Sequence, residues 1–218
     1  MAPPVIPISS SDKSAATKNR KKSAAKTAAI LDGAMQEFLA NGYAAASMDR
    51  VAQAAGVSKA TVYSHFQDKA GLFGALVQQL AEHKFRTVFD PRNENTWQGE
   101  PRRVLRDLAE KILNDAGCDP QFCEFMRLII GESGRFPELA EPYIQNVAKP
   151  FLEGLTRYLS SQEELALVDP EATARTFAGT LIYFVLLQRV LGGEEILPLE
   201  SDRIVTTLID LIIPPPSD

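Results

Sequence analysis

Residues 47–69, SMDRVAQAAGVSKATVYSHFQDK, contain two short helical patterns on either side of a glycine. The first pattern places four apolar residues on one helix face: Met48, Val51, Ala52 and Ala55. Gly56 follows where the chain must reverse, because glycine adopts positive φ at little cost. Ser58 offers an N-cap to the second helix, in which Val62 and Phe66 face inward. The stretch therefore predicts a helix-turn-helix.

Helices this short bury too little surface to be stable alone, so neighbouring helices are expected to support them. An apolar stripe precedes the motif at Leu31, Ala34, Met35, Phe38 and Leu39. Another follows it at Leu72, Phe73, Leu76, Val77 and Leu80. Asn41-Gly42 ends the first of these helices, and Asp68 caps the second. The sequence predicts a three-helix domain with a linking helix that runs from Asp68 to about Phe85, over residues 23–86 in all.

Residues 28–80 resemble the N-terminal DNA-binding domain of the TetR/AcrR family of bacterial transcriptional regulators. The resemblance rests on Ile30-Leu31, Phe38, Gly42, Ser47-Met48, Val51-Ala52, Ala55-Gly56-Val57-Ser58, Thr61-Val62-Tyr63, His65-Phe66, Lys69 and Leu72-Phe73. Ser47 replaces the usual threonine, Val51 the usual isoleucine, and Gly33 a common alanine. Gly33 costs the helix about 1 kcal/mol relative to alanine. The resemblance implies a homodimer that binds a palindromic double-stranded DNA operator.

The resemblance also implies which side chains contact DNA: Ser47, Arg50, Ser58, Lys59, Ala60, Thr61, Tyr63, Ser64, His65 and Lys69. Lys59, Ala60 and Thr61 match base-facing positions on the second helix of the motif. Lysine donates to guanine, and the methyl groups of Ala60 and Thr61 suit the thymine methyl. A hydrogen bond within its own helix is an alternative role for Thr61.

Phosphate contacts are implied at both ends of the motif. Tyr63, His65 and Lys69 match family positions that bind the DNA backbone. Ser47, partly through its backbone N–H, and Arg50 would anchor the opposite strand. A hydrogen-bonded structural histidine is the alternative for His65.

Charge is distributed unevenly along the 218 residues. Residues 1–86 hold 11 Lys and Arg against 6 Asp and Glu, a net charge of +5, whereas residues 87–218 hold 12 against 22, a net charge of −10. We expect the acidic part to point away from DNA. Residues 1–22 are rich in proline, serine and lysine and predict a disordered basic arm, which either contacts DNA or is a solvated tail.

Beyond the turn-rich residues 90–95, the chain has helical periodicity and no alternating strand pattern. We therefore predict an all-α protein in which residues 87–218 form a larger helical effector-binding and dimerisation domain. Residues 119–139 resemble the C-terminal domain of the AefR-like subgroup. The apolar run 181–187 predicts a dimer interface built from Leu181, Phe184, Val185, Gln188, Leu208 and Ile212, the alternative being a helix central to its own domain.

A small-molecule effector of unknown identity is expected in the same domain. The candidate lining residues are aromatic, soft or polar: Phe122, Phe125, Met126, Arg127, Tyr143, Phe151, Tyr183 and Gln188. Ordinary core packing is the alternative for each of them.

The inventory of reactive residues argues against an enzyme. The chain has two histidines, no Gly-rich phosphate loop, no metal-ligand cluster at usable spacing and no sign of a cofactor. Cys118 and Cys123 are either buried thiols or a redox pair. With no signal peptide or membrane-length apolar run, we expect a cytoplasmic protein with no membrane partner. The interpretation is a ligand-responsive repressor; the alternative is a helical scaffold that has lost DNA binding.

Overall fold

The computed structural model describes residues 10–82, 94–117 and 119–215, and within these ranges every regular element is a helix. This confirms the all-α prediction. The chain forms two compact units, residues 1–73 and 74–218. The division falls inside the fourth helix, earlier than the boundary after residue 86 that the sequence suggested.

Unit 1 is built from α1 (Ser10–Ala45), α2 (Met48–Ala54), α3 (Lys59–His65) and the start of α4 (Lys69–Leu80). The helical dihedrals of α1 break at Gly42, where φ is 72° and ψ is 166°.

The expectation of a disordered arm was wrong for residues 10–22, which belong to α1. Alanine, lysine and arginine are frequent there and have high helix propensity, so the polar composition does not prevent a helix. Residues 1–9 lie outside the described residues.

The predicted apolar stripe of α1, together with Leu72 and Phe73 of α4, lies in the core of unit 1. Phe38, Tyr43 and Phe73 pack as a trio with ring centroids 5.4–5.7 Å apart. The helical glycine in α1 has a packing role that offsets its cost to the helix. A Cβ on Gly33 would lie 3.0 Å from the backbone nitrogen of Ala55, so the absence of a side chain allows α2 to approach α1 closely.

Unit 2 continues from α4 with further helices. They are α5 (Pro101–Lys111), α6 (Pro120–Glu132), α7 (Ala140–Tyr143), α8 (Lys149–Ser160), α9 (Pro170–Val185) and α10 (Ser201–Ile212). Asp119 and Asp169 cap α6 and α9, each followed by a proline at the first helical position. A π-helical segment, Ile144–Ala148, joins α7 to α8 immediately before Pro150. Proline cannot donate the regular helix hydrogen bond, so a departure from α-helical hydrogen bonding is expected close to Pro150.

The core of unit 2 buries the apolar faces of α5, α8, α9 and α10 together. Arg102 Nη1 lies 2.5 Å from Asp210 Oδ1, and Arg106 Nη1 lies 2.9 Å from Asp202 Oδ1, so two ion pairs join α5 to α10. Cys123 is buried and its thiol donates to the Gly117 carbonyl oxygen at 3.5 Å, while Cys118 lies outside the described residues, so the choice between buried thiols and a redox pair stays a prediction. No helix in the described ranges is long and apolar enough to cross a bilayer.

Four of the residues predicted for a dimer interface are buried within the single chain. Leu181 is fully buried, Leu208 is 3% exposed, and Val185 and Gln188 are each 5% exposed within the single chain. Leu181 and Val185 of the apolar run therefore pack in the core of unit 2, whereas Ile182 and Tyr183 of the same run are exposed, and the dimer interface stays a prediction. Phe184 and Ile212, the other two predicted residues, are half-buried against that core.

Candidate nucleic-acid interface

Helix α3 is oriented by one cap and two buried side chains. Ser58 Oγ accepts a hydrogen bond from Thr61 N at 3.2 Å, as the sequence predicted. Val62 is fully buried and Phe66 is 9% exposed, so these residues fix the inner face of the motif. The opposite face is exposed to solvent at Lys59, Ala60, Tyr63 and Ser64. Tyr63 keeps 45% of its surface exposed, which is unusual for an aromatic side chain with only a structural role.

Hydroxyl groups along α3 bond to one another or to the helix backbone. The Ser58 and Thr61 hydroxyls are 2.8 Å apart, and Ser64 Oγ donates to the Thr61 carbonyl oxygen at 2.8 Å. Thr61 therefore pairs with the cap residue, and it is Ser64 that bonds back to the helix.

Lys59 is paired with an acidic residue that the sequence analysis did not single out. Its Nζ lies 2.7 Å from Asp49 Oδ1, and the hydrogen bond to Asp49, followed by the charge of that carboxylate, raises the lysine pKa. Nζ also lies 5.9 Å from the Tyr63 ring centroid. Both partners of the pair are exposed, so the ion pair is screened by water and the lysine keeps N–H groups for a DNA base.

Lys69 is hydrogen-bonded within the protein. Its Nζ donates to the carbonyl oxygens of Tyr43 at 2.7 Å, Ala44 at 3.1 Å and Ala46 at 3.2 Å. It also lies 4.6 Å from the Tyr43 ring centroid. An ammonium group has three N–H donors, so these bonds use all of them. In the chain without DNA, Lys69 therefore satisfies carbonyl groups at the end of α1, and its phosphate contact stays a prediction.

The predicted anchors at the start of α2 converge on a buried carboxylate. Ser47 Oγ caps the helix by accepting from Arg50 N at 3.2 Å. Its backbone N–H, expected to meet phosphate, donates to Glu37 Oε1 at 3.1 Å instead. Arg50 Nε donates to the same oxygen at 2.6 Å. Glu37 is 7% exposed, and sequence reasoning missed it although it falls three residues after Ala34 on the buried face of α1.

His65 has a structural partner on α1. Its Nδ1 lies 3.1 Å from Thr27 Oγ1, and that hydroxyl is also 3.1 Å from the Ser23 carbonyl oxygen. If the threonine proton goes to Nδ1, the neutral imidazole carries its own proton on Nε2 and can donate to phosphate. If the proton goes to Ser23, Nε2 of the neutral ring is an acceptor only. The structural role and the phosphate contact are therefore compatible in one tautomer.

The predicted effector-binding residues do not form a single lining. Phe122 and Phe125 are buried, and Met126 and Phe151 pack against the unit 2 core. Tyr183 is 62% exposed, unlike these four residues, and its place in an effector site stays a prediction.

The polar members of the predicted set have partners within the fold. Arg127 donates through Nε to the Val190 carbonyl at 2.7 Å, and Gln188 Nε2 donates to the Leu197 carbonyl at 2.8 Å. Both were expected to orient a ligand. Tyr143 is half-buried, and desolvation raises its pKa to about 12.

An open groove of about 450 Å³ lies elsewhere in unit 2. Its walls come from the end of the α8–α9 loop, α9 and α10, and they include threonines 173, 176, 180 and 207 with Leu211. No predicted effector residue lines it, whereas two predicted interface residues, Leu208 and Ile212, do.

Two family models match the chain, one in each part. Residues 30–76 match the bacterial regulatory proteins of the tetR family, and residues 103–213 match the C-terminal domain of AefR-like transcriptional repressors. The chain belongs to the TetR family. It is a DNA-binding transcriptional regulator and not an enzyme. The first model covers α2 and α3 in full, so the exposed face of α3 lies in the DNA-binding part of this TetR-family chain.

Individual relatives agree with this assignment. The uncharacterized regulator YvkB of Bacillus subtilis is 25% identical over 181 residues, covering 81% of this chain and 89% of YvkB. The regulator SrpR of Pseudomonas putida is 27% identical over 163 residues, covering 70% of each chain. Among solved structures, the flavonoid-responsive regulator FrrA is 28% identical with a TM-score of 0.70, covering 86% of this chain and 95% of FrrA.

Proposed function

We propose that this TetR-family regulator is a homodimeric repressor that binds a palindromic operator and responds to a small molecule. The observation that carries the proposal is the exposed face of α3, where Lys59, Ala60 and Tyr63 stand outward. A helical scaffold that has lost DNA binding would tolerate bulky or acidic residues on that face. The nearby acidic residue, Asp49, lies on α2 and not on the exposed face of α3. Repression is supported by the repressor description of the C-terminal family model.

Dimerisation is proposed through the outer faces of α9 and α10. Tyr183 is 62% exposed and Leu211 is 76% exposed, and the groove beside Leu211 offers an apolar surface to a second copy. We keep Phe184 and Ile212 in the proposed interface because both are half-buried. Two copies give the two-fold symmetry that a palindromic operator requires.

The effector is proposed to act through α4, which begins in unit 1 and ends in unit 2. Half-sites on B-DNA recur at about 34–36 Å. A change of a few ångströms in the distance between the DNA-binding domains of the two copies would therefore lose contacts at one half-site. FrrA is described as flavonoid-responsive, which supports ligand control in this family. Phe122, Phe125, Met126, Tyr143 and Phe151 are the proposed lining of an effector site. Ligand and operator affinities must then oppose each other reciprocally.

Footprinting of the full chain on genomic DNA tests the proposal. We expect a small set of protected sites that contain an inverted repeat, and sedimentation of a dimer at the protein concentrations of the assay. Protection of bulk DNA without sequence preference, or a strictly monomeric chain, would contradict it. A regulated promoter fused to a reporter then separates repression from activation, since deleting the gene raises the output of a repressed promoter and lowers that of an activated one.

The DNA sites found by footprinting also allow a screen for the effector. Small molecules are expected to release the chain from its footprinted DNA and to raise its unfolding temperature. A Phe125→Leu variant should weaken that response while keeping DNA binding. The exposed Ile130 on the same helix provides the matched variant Ile130→Leu, which should respond like the unaltered chain. Equal responses of both variants would exclude Phe125 from the effector site.

A further inference from the structure

Glu37 is a buried carboxylate that binds three groups at the turn between α1 and α2. Oε1 accepts from Ser47 N at 3.1 Å and from Arg50 Nε at 2.6 Å, and Oε2 accepts from Asn41 Nδ2 at 2.9 Å. Glu37 is 7% exposed, so water does not replace these partners easily. One side chain of α1 thereby fixes the first residue before α2, Ser47, and the guanidinium on its first turn.

The Arg50 guanidinium is hydrogen-bonded within the protein, and its side chain also remains partly exposed to solvent. Besides the bond to Glu37, its Nη2 donates to the Ala45 carbonyl oxygen. A guanidinium carries five N–H groups, and these two bonds leave further donors. The Arg50 side chain is 48% exposed despite its two internal bonds. An arginine whose inner edge is fixed in this way can meet a phosphate without first losing its conformational freedom.

We propose that Glu37 is a positioning residue for DNA binding, which holds Arg50 and the N-terminus of α2 in the geometry that contacts phosphate. The inference rests on the phosphate contact proposed for Arg50. The buried carboxylate of Glu37 is therefore expected to favour DNA binding, although the carboxylate and DNA are both negatively charged. Charge alone would give the opposite effect.

The sign of the effect separates positioning from simple electrostatics. Removing a negative charge from a DNA-binding head should strengthen binding if only long-range repulsion matters. Asp32 is the matched control, because it also lies on α1 but is exposed. We expect Asp32→Asn to strengthen binding slightly and Glu37→Gln to weaken it.

The experiment measures the affinity of the full chain for a fluorescent duplex of random sequence at several salt concentrations. Such a duplex reports phosphate contacts and needs no knowledge of the operator. We expect Glu37→Gln to weaken binding about three- to tenfold. Measurements are made well below the unfolding temperature of each variant. Glu37→Asp keeps the charge but shortens the reach, and it should lose an intermediate amount of affinity.

A double-mutant cycle with Arg50→Met tests whether Glu37 acts through Arg50. In the Arg50→Met background, we expect Glu37→Gln to change affinity less than about twofold, because the group it positions is absent. An equal loss in both backgrounds, or a gain like that of Asp32→Asn, would overturn the positioning role. Unchanged binding by Arg50→Met would instead remove the proposed phosphate contact and the inference with it. If Glu37→Gln does not fold, wild-type affinity of Glu37→Asp overturns the proposal.

Discussion

Replacing Lys69 by methionine should destabilise unit 1 rather than merely weaken DNA binding. The lysine ammonium donates to three carbonyl oxygens at the α1–α2 turn, at distances of 2.7–3.2 Å. Methionine keeps much of the aliphatic stem but has no donor, so the three carbonyls lose their partner together. The consequence should appear in the free energy of unfolding of the free protein, with no DNA present.

The magnitude follows from the kind of bonds lost. A hydrogen bond to a charged group contributes about 1.5–3 kcal/mol, but these three share one ammonium and are not additive. Water reaches the Ala44 carbonyl, which is exposed, and offsets part of the loss. The contact with the Tyr43 ring at 4.6 Å adds about 0.5–1 kcal/mol. We therefore expect a total loss of about 2–3 kcal/mol, a large share of the stability of a small domain.

The assay is thermal unfolding of the full chain together with hydrogen exchange of amides in α1 and α2. Each kcal/mol lowers the unfolding temperature of a domain of this size by about 4–8 °C. Exchange is needed because two units do not unfold in a single two-state step. Lys59→Met is the matched control: it removes the same charge, but Lys59 and its partner Asp49 are both exposed.

A specific result would refute the capping argument. If Lys69→Met and Lys59→Met unfold at the same temperature, and Lys69→Met lowers the salt slope of DNA binding by about 0.9 per head, then Lys69 is a phosphate contact after all. We expect Lys69→Met to keep its salt slope at temperatures where unit 1 is folded.

Three further outcomes are expected. Thr61→Ala should change the ranking of footprinted sites more than the affinity for random duplex, and equal losses on both would show that Thr61 does not discriminate bases. Tyr183→Asp or Leu211→Asp should convert the dimer to monomer in sedimentation, whereas Ile196→Asp, at an exposed residue outside α9 and α10, should not. Burial, with the charges of nearby glutamates second, raises the pKa of Tyr158 to about 12, so stability should fall as pH rises from about 10 to 12. In chemical denaturation across that range, Tyr158→Phe should show a shallower decline, and an equal decline would contradict the shift.

The helix-turn-helix formed by α2 and α3 was predictable because its sequence signals are local. Ser47 and Ser58 act as caps three residues before the N–H groups they accept, and Gly56 has φ of 63° at the turn. Each of these features depends on a few consecutive residues, so the sequence displays it directly. The apolar stripes followed for the same reason, since their spacing alone decides which face is buried.

The partners of the charged residues were not predictable in the same way. Lys69 binds carbonyl groups 23 to 26 residues earlier in the chain. Every residue has a carbonyl group, so the sequence gives no sign of which ones are left without a helical partner until the end of α1 is placed. Glu37 was visible as an acid on an apolar face, but its link to Arg50 depends on how α1 and α2 pack.

The dimer interface could not be predicted from the apolar run alone. The apolar run on α9 predicts an interface, but its first residue, Leu181, is fully buried in the core of the single chain. Apolarity measures the tendency to leave water and does not say whether the same chain or another provides the cover. The exposed part of the α9–α10 surface is marked instead by threonines and by Tyr183, a mixture that resembles ordinary surface.

The three cations between residues 47 and 69 also show why counting charges overstates the attraction for DNA. Lys59 is paired with Asp49, Arg50 with Glu37, and Lys69 with carbonyl oxygens. A base that engages Lys59 competes with the Asp49 carboxylate, so binding exchanges one hydrogen-bond partner of the lysine for another. Counterion release accompanies only the charge that was not already compensated. The salt slope of DNA binding should therefore be smaller than the number of cations on the motif. The preference for particular DNA sequences should be larger than a basic surface alone would give, because replacing these internal partners is favourable only where the bases add their own contacts.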